Sequence, residues 1–317
     1  MNVAIIIPLY NEEKLIPEIV RRFGAIRQIP GNAAHYEFIF VDDGSVDQTL
    51  SCLQQAAQAQ NLPGKIISFR RNFGHHNAIQ AGLEHCQGDY IVLLDGDLQD
   101  PPELIPQLLA AHRDGFDLVY ARRLSRKDRL HKKVLPNLFF MLFNVLSPVK
   151  LPHNTGIYRS MTREVKDLLL DCPENDKFLL GLMEYPGFKV GFVGYEREER
   201  TIGQSKYTLR KSLRLAWQGI TAFTTSPLTM MKSVGFAIFA WTLLYVAYII
   251  GKKYIYDFPV SGWATIVAMM AGLFGLNFFF LGIFGEYIAK IVKEVKKRPN
   301  YYIKQIIALK QPANDAN

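Results

Sequence analysis

Short apolar runs alternate with amphipathic stretches through the first 120 residues, and each run has the length of a strand. Val3-Ala4-Ile5-Ile6-Ile7 stops at Pro8, and Phe38-Ile39-Phe40-Val41 stops at Asp42-Asp43-Gly44-Ser45. Lys65-Ile66-Ile67-Ser68-Phe69, Tyr90-Ile91-Val92-Leu93-Leu94 and Leu118-Val119-Tyr120 follow. Runs that are apolar at nearly every position belong to strands covered on both faces, as in a parallel sheet between helices. Between them Lys14 to Ile26, Thr49 to Gln60 and Asn77 to His85 read as helices, and Pro101-Pro102 opens another, because proline suits a first helical turn. Strand, helix, strand, helix predicts an α/β domain of Rossmann-like kind with a mostly parallel sheet.

The pattern changes in the last third. Ser233 to Ile250 and Trp263 to Gly285 are nearly free of charge, and each approaches the roughly 20 residues that cross a bilayer as a helix. Two such stretches so close together predict a transmembrane hairpin, with helices at about 230–250 and 263–288, over a pair of buried core helices. Arg210, Lys211, Arg214 and Lys232 precede the first span, and Lys290, Lys293, Lys296, Lys297 and Arg298 follow the second, whereas the loop between holds Lys252 and Lys253. That asymmetry places both termini in the cytoplasm. Met1 to Pro8 is too short for a cleavable leader and runs straight into a strand-turn pattern, so the α/β part is expected in the cytosol. The expected organisation is a cytosolic domain over 1–225, two transmembrane helices within 226–289 and a basic cytosolic tail over 290–317.

Two further apolar segments are too short or too interrupted to span. The segment 134–149 sets Leu135, Leu138, Phe139 and Leu142 on one stripe behind Lys132 and Lys133. The segment 207–220 sets Leu209, Leu213, Trp217 and Ile220 opposite Arg210, Lys211 and Arg214. Both read as interfacial helices lying among lipid headgroups, with a core-facing amphipathic helix as the alternative. The chain has 317 residues, 49% of them hydrophobic and 21% charged, which excludes a disordered chain. Its formal charge of +8 suits an anionic membrane face as well as nucleic acid, and the two spans favour membrane lipids and no nucleic acid. Cys52, Cys86 and Cys172 share no metal-ligand spacing and read as reduced structural thiols.

Candidate chemistry sits at the strand ends. Pro8-Leu9-Tyr10-Asn11-Glu12, Asp42-Asp43-Gly44-Ser45, Arg70-Arg71-Asn72-Phe73-Gly74 and Asp95-Gly96-Asp97-Leu98-Gln99 each follow one of the first four strands. If the sheet is parallel, all four meet at its carboxyl edge, where such sheets bind ligands. Tyr10 can stack on a nucleobase, and Asp43 can accept hydrogen bonds from base or ribose. Asp95 and Asp97 stand one residue apart, and two ionised carboxylates there call for a cation. Hard oxygen ligands favour Mg²⁺ or Mn²⁺, with substrate phosphates completing the shell. Taken singly each loop could be turn chemistry alone; their joint occurrence points to one ligand. His75-His76 lacks the i, i+4 spacing of a two-histidine metal site, so at most one of the two is expected to line the pocket.

Ile7-Pro8-Leu9-Tyr10-Asn11-Glu12-Glu13, Val41-Asp42-Asp43-Gly44-Ser45, Arg71-Asn72-Phe73-Gly74, Asp95-Gly96-Asp97-Leu98-Gln99-Asp100-Pro101-Pro102 and Gly203-Gln204-Ser205-Lys206-Tyr207 resemble the motif set of family 2 glycosyltransferases with a GT-A fold. More narrowly they resemble the polyprenyl-phosphate branch, which includes dolichol-phosphate mannose synthase and bacterial bactoprenol glucosyltransferases. The likeness extends to Gly285-Glu286-Tyr287-Ile288 and Lys297-Arg298-Pro299. It implies inverting transfer of one sugar from a nucleotide diphosphate sugar, UDP-glucose or similar, to polyprenyl (undecaprenyl) phosphate. The implied setting is a homo-oligomer in the bacterial cytoplasmic membrane, multi-pass, with the active site in the cytosol. By the same resemblance Pro8, Tyr10, Glu12, Val41, Asp43 and Gly96 meet the nucleotide, Asp95 faces nucleotide and sugar, and Asp97 and Gln99 address the divalent ion. Arg122 lies near the donor diphosphate, and Arg129, Lys133, Arg200, Ser205 and Lys206 meet phosphates, chiefly that of the acceptor. Asp95, Asp97, Arg122 and Lys206 are thereby the catalytic candidates. Two phosphorylated substrates must approach each other, and the basic run Arg122, Arg123, Arg126, Lys127, Arg129, Lys132 and Lys133 suits that need; a solvated basic face is the alternative.

One position departs from the pattern. After Asn154-Thr155-Gly156, relatives commonly carry an acid proposed as a base, and here Ile157 precedes Tyr158-Arg159. Isoleucine takes no proton. A phosphate monoester, with a second pKa of about 6, is already mostly dianionic at neutral pH, so positioning and charge stabilisation can serve without a base there. Two other readings stay open. A processive polysaccharide synthase is disfavoured by two spans and by the lack of a Gln-x-x-Arg-Trp motif, and a catalytically silent membrane scaffold finds its best support in Ile157.

Overall fold

The first four strands form as their apolar runs require. They are β1 (Asn2–Leu9), β2 (His35–Asp42), β3 (Gly64–Phe69) and β4 (Tyr90–Leu93). The helices between them are α1 (Ile16–Ile26), α2 (Thr49–Ala59) and α3 (His75–Glu84). This computed structural model describes residues 1–29, 34–124, 152, 155–174, 179–184, 186–196, 226–256 and 262–309. The two amphipathic segments at 134–149 and 207–220 lie outside the described residues, as do Arg126, Lys127, Arg129, Lys132, Lys133, Arg200, Gly203, Gln204, Ser205 and Lys206.

Pro101-Pro102 opens a helix as expected, first as a 3-10 turn (Pro102–Leu104) and then as α4 (Ile105–Ala111). Beyond it come β5 (Leu118–Arg123), β6 (Thr155–Thr162), α5 (Arg163–Asp171), the short α6 (Leu179–Leu182) and β7 (Val190–Tyr195). Two long helices follow, α7 (Ser226–Tyr256) and α8 (Trp263–Lys296), and then β8 (Ile303–Leu309).

Among the described residues the strands make one sheet in the order β7-β5-β6-β4-β1-β2-β3-β8. The block β4-β1-β2-β3 is parallel throughout, so four strand ends share one edge. Outside it, β6 runs antiparallel to both β4 and β5, β7 is parallel to β5, and β8 is antiparallel to β3. Ile5, Ile6 and Ile7 are buried, as befits a strand with helices on both faces. On α1 the buried residues Ile16, Ile19, Val20, Phe23 and Ile26 repeat at helical spacing. Phe23 meets Phe38 and Phe40 edge-on at ring distances of 5.9 and 6.4 Å, and burying such a ring stabilises the fold by about 1.5–3 kcal/mol.

The stretch expected as a basic tail differs from that expectation. Helix α8 continues to Lys296, and Ile303–Leu309 then joins the sheet beside β3, with Gly64 opposite Leu309 and Phe69 opposite Ile303. Tyr301 stacks on Phe69 at 4.8 Å and donates its hydroxyl to Glu84, while the Arg70 amide donates to the Tyr302 carbonyl. The basic residues Lys290, Lys293, Lys296, Lys297 and Arg298 precede this strand, in which Ile303, Ile306, Ile307 and Leu309 carry the β-branched and apolar surface that completes the sheet.

By contacts the described residues divide into two compact units. One draws on the described residues before 197 together with 298–309, and the other on those of 226–297. In the second unit, Leu228–Lys252 and Gly272–Lys296 are each 25 residues long and apolar enough to cross a membrane. Their side chains Phe236, Leu244, Trp263 and Phe278 are exposed.

Candidate active site

The four loops at the carboxyl edge are tied to one another by side chains that accept backbone N–H groups. Ser45 Oγ accepts the Asn11 amide at 3.0 Å, and Asn11 Oδ1 accepts the Val46 amide at 3.0 Å. Thr49 Oγ1 accepts the Glu12 amide at 2.8 Å and donates to Asp47 at 2.6 Å. Asp43, buried at the end of β2, accepts the Phe73 amide at 2.7 Å and the Gly74 amide at 3.0 Å, which clamps the second loop to the third. Gly44 has φ 66°, and a Cβ there would fall 2.2 Å from the Arg71 carbonyl carbon, so only glycine lets these loops close. Gly96 serves the same end between the fourth loop and the first, where a Cβ would meet Leu9 Cδ2 at 2.3 Å.

The contact that completes the ring is between His75 and Asp95. His75 Nε2 lies 3.2 Å from Asp95 Oδ1. Burial opposes the charged ring, but the bond from Asp95 and the charges of Asp95, Asp43 and Asp97 outweigh it and hold the imidazole above its ordinary pKa. Burial likewise raises the Asp43 carboxyl, only partly offset by the Phe73 and Gly74 amides. Of the two adjacent histidines, His75 is placed against Asp95.

Asp97 Oδ1 accepts the Gln99 amide at 3.1 Å, and Leu98 between them adopts φ 56°, a left-handed turn that presents the carboxylate at the strand end. A divalent ion fits this donor set. Among the described residues no group of three or more His, Cys, Asp or Glu side chains forms an all-protein cage, and Mg²⁺ or Mn²⁺ is commonly held by one or two carboxylates with phosphate oxygens.

The structure thus gathers Tyr10, Glu12, Asp43, Asp95, Gly96, Asp97 and Gln99 at one edge, with Pro8 in β1 and Val41 buried in β2 beneath them. Arg122 lies at the carboxyl end of β5, which β6 separates from β4, and its guanidinium lies 5.2 Å from the Phe192 ring. Arg129, Lys133, Arg200, Ser205 and Lys206 lie outside the described residues.

Polar residues hold this second region, among them Arg123, which was expected in the basic run facing the phosphates and here pairs with Asp100 and Tyr195. Asp100 is buried, accepts the Tyr195 hydroxyl at 2.5 Å and pairs with Arg123 at 3.5 Å. That links the loop after Gln99 to β5 and β7. Arg159 on β6 is 1% exposed. It donates to the carbonyls of Gly156 at 2.5 Å and Ile157 at 3.1 Å and to the Tyr120 hydroxyl at 3.2 Å, while Tyr120 donates to Glu184. The Ile157 carbonyl, not its side chain, is what this network uses.

Residues 4–169 match the family model described as Glycosyl transferase family 2, more than half of the chain. The chain belongs to glycosyltransferase family 2. Over 309 residues it is 36% identical to the bactoprenol glucosyl transferase of Shigella phage SfII, covering 96% of this chain and 98% of that one. It is 31% identical to the undecaprenyl-phosphate 4-deoxy-4-formamido-L-arabinose transferase of Proteus mirabilis (strain HI4320), covering 98% and 95% of the two chains. A solved mannosyltransferase from Pyrobaculum calidifontis, in complex with GDP-mannose and Mn²⁺, superposes with a TM-score of 0.51 at 17% identity, covering 93% of this chain and 88% of that one. That likeness fixes the fold as GT-A. This family 2 glycosyltransferase is accordingly an enzyme whose sheet carries its loop ring at the carboxyl edge.

Proposed function

We propose that this enzyme transfers a single sugar from a nucleotide diphosphate sugar to polyprenyl phosphate, with inversion at the anomeric carbon. The reading is carried by the presence, in one chain, of a donor-type ring of four loops and two helices long enough to cross a membrane. Relatives named for bactoprenol and undecaprenyl-phosphate transfer align over nearly its full length and support it.

A phosphate oxygen of the acceptor attacks the anomeric carbon while the bond from that carbon to the donor diphosphate breaks. The products are a polyprenyl-phosphate monosaccharide and a nucleoside diphosphate. In this reading Tyr10 stacks on the base, Asp43 holds the second and third loops in place beside the nucleotide, and Asp95 orients the sugar. Asp97 and Gln99 would hold Mg²⁺ or Mn²⁺, which supplies charge stabilisation for the departing diphosphate. Arg122 and the basic residues Arg129, Lys133, Arg200 and Lys206, with Ser205, offset the charge of the two phosphates. Ile157 leaves no base at its position, and the dianionic acceptor needs none. Both termini and the active site face the cytosol across a bacterial cytoplasmic membrane, and the enzyme works as a homo-oligomer.

The test is incubation of membranes carrying the protein with radiolabelled UDP-, GDP- and dTDP-sugars and polyprenyl phosphate. A lipid bearing one labelled sugar is the expected product. A labelled polymer would instead identify a processive synthase, and no label in lipid from any donor would leave the scaffold reading standing.

A further inference from the structure

In the sheet, β2 and β1 lie between β3 and β4, so the ends of β3 and β4 are about 14 Å apart at the usual strand spacing. His75 nonetheless bridges that gap, reaching from the loop after β3 to Asp95 after β4 at 3.2 Å. The reach is built into the first turn of α3. Asp43 accepts the amides of Phe73 and Gly74, the Gly74 carbonyl accepts the amides of Asn77 and Ala78, and Asn77 Nδ2 donates to the Phe73 carbonyl at 2.7 Å. These bonds set the backbone from which His75 projects. The ring of His76 lies 6.0 Å from that of His75 at an interplanar angle of 69°.

We propose that His75 is a positioning residue for Asp95: its Nε2–H holds that carboxylate in place for the sugar donor and reserves the divalent cation for Asp97. A cation bound at the same Asp95 oxygen would have to displace the Nε2–H that already lies against it. The two acids of Asp95-Gly96-Asp97 are chemically alike, and His75 is what makes their roles differ. The inference rests on the nucleotide-sugar reading above and names a residue that reading does not use.

Mn²⁺ binding to the full chain in detergent, followed by water-proton relaxation with and without UDP, GDP or dTDP, separates the possibilities when measured alongside turnover. His75→Ala should lower turnover about tenfold or more, as loss of a residue that orients a reacting group does. The same variant should bind Mn²⁺ several-fold more tightly, because the Asp95 oxygen is then open to the cation. His75→Gln keeps an N–H donor for that oxygen, so it should regain part of the turnover and bring Mn²⁺ binding part of the way back, whereas His75→Asn falls short of Asp95 and should behave as His75→Ala does. His75→Asn also carries the test if His75→Ala fails to fold.

Weaker Mn²⁺ binding in any of these variants would make His75 a ligand or a mere structural support, and the proposal falls. Unchanged turnover and Mn²⁺ binding sinks it as well. If the wild type shows no nucleotide-dependent Mn²⁺ binding, the donor reading and this proposal fail together. Normal wild-type binding with unaltered variants removes the His75 proposal alone.

Discussion

The two halves of the sheet reach order by different means. The parallel block β4-β1-β2-β3 has a largely apolar interior, with the buried Ser68–Asp42 pair near its carboxyl edge and, at the strand ends, short side chains that accept backbone amides from neighbouring loops. The half built from β5, β6 and β7 places polar groups inside, with Arg159, Ser160 and Asp100 all buried and each bonded to a residue far away in the chain. The first arrangement gathers carboxylates along one edge of the sheet. The second spends its charges on holding strands together. Charge at the first edge should therefore matter for turnover, and charge in the second half for stability.

The sharpest test of that division is Asp97→Ala. With the candidate metal carboxylate gone, turnover should fall on the order of 1,000-fold, since a metal supplies several kcal/mol of charge stabilisation. The melting temperature should barely move; an active variant would reject the metal role. Next, Arg159→Ala should cost about 3 kcal/mol of stability, because it opens a cavity and strands the Gly156 and Ile157 carbonyls. Denaturant titration measures this, and activity per folded molecule should survive; a stable variant would contradict the role given to buried charge.

Asp43→Ala bridges the two cases, since its carboxylate is buried yet sits at the ligand edge. Loss of its bonds to Phe73 and Gly74 should cost about 2 kcal/mol and weaken donor binding as well. A change in stability with no change in donor KM would move Asp43 out of the site and into the scaffold.

The smallest effect concerns His112, whose Nδ1 bonds the Phe116 carbonyl at 2.7 Å and whose Nε2 bonds Ser160 Oγ at 2.8 Å. Burial lowers its pKa below the ordinary value, so the folded protein keeps the ring neutral. Below about pH 6.5 the unfolded chain takes up a proton that the folded one resists, and stability falls as pH drops. The melting temperature should decline more steeply between pH 7.5 and 5.5 in the wild type than in His112→Asn. Parallel slopes would assign the acid sensitivity to other groups.

The same contrast explains what the sequence could show. The parallel block was legible because each strand is an uninterrupted apolar run and each loop carries its own turn residues. The membrane-length helices were legible for the same local reason, although α8 runs past the expected end at residue 288 on the amphipathic turn that bears Ile291, Val292 and Val295. Strand β6 was missed because Arg159 and Ser160 break its apolar pattern, and their partners, Tyr120, Met183 and His112, lie elsewhere in the chain. The placement of Asp43, Asp95 and Asp97 at the ends of parallel strands was legible from the turn motifs. His75 was weighed only as half of a histidine pair, while its partner is a carboxylate on another loop. Asp100, Tyr195 and Arg123 form a triad that no sequence spacing announces.

Strand β8 bears on how this enzyme is made. Ribosomes produce the chain from its first residue onward, so the segment that covers the β3 edge emerges after both long apolar helices have been translated. Until Ile303–Leu309 arrives, β3 presents open N–H and C=O groups of the kind that invite pairing between chains. A nascent chain stalled within the hairpin thus carries an unfinished sheet, and Tyr301 cannot yet stack on Phe69 beside the loop that leads to His75. Completion of the catalytic half waits on synthesis of the part that can enter the bilayer.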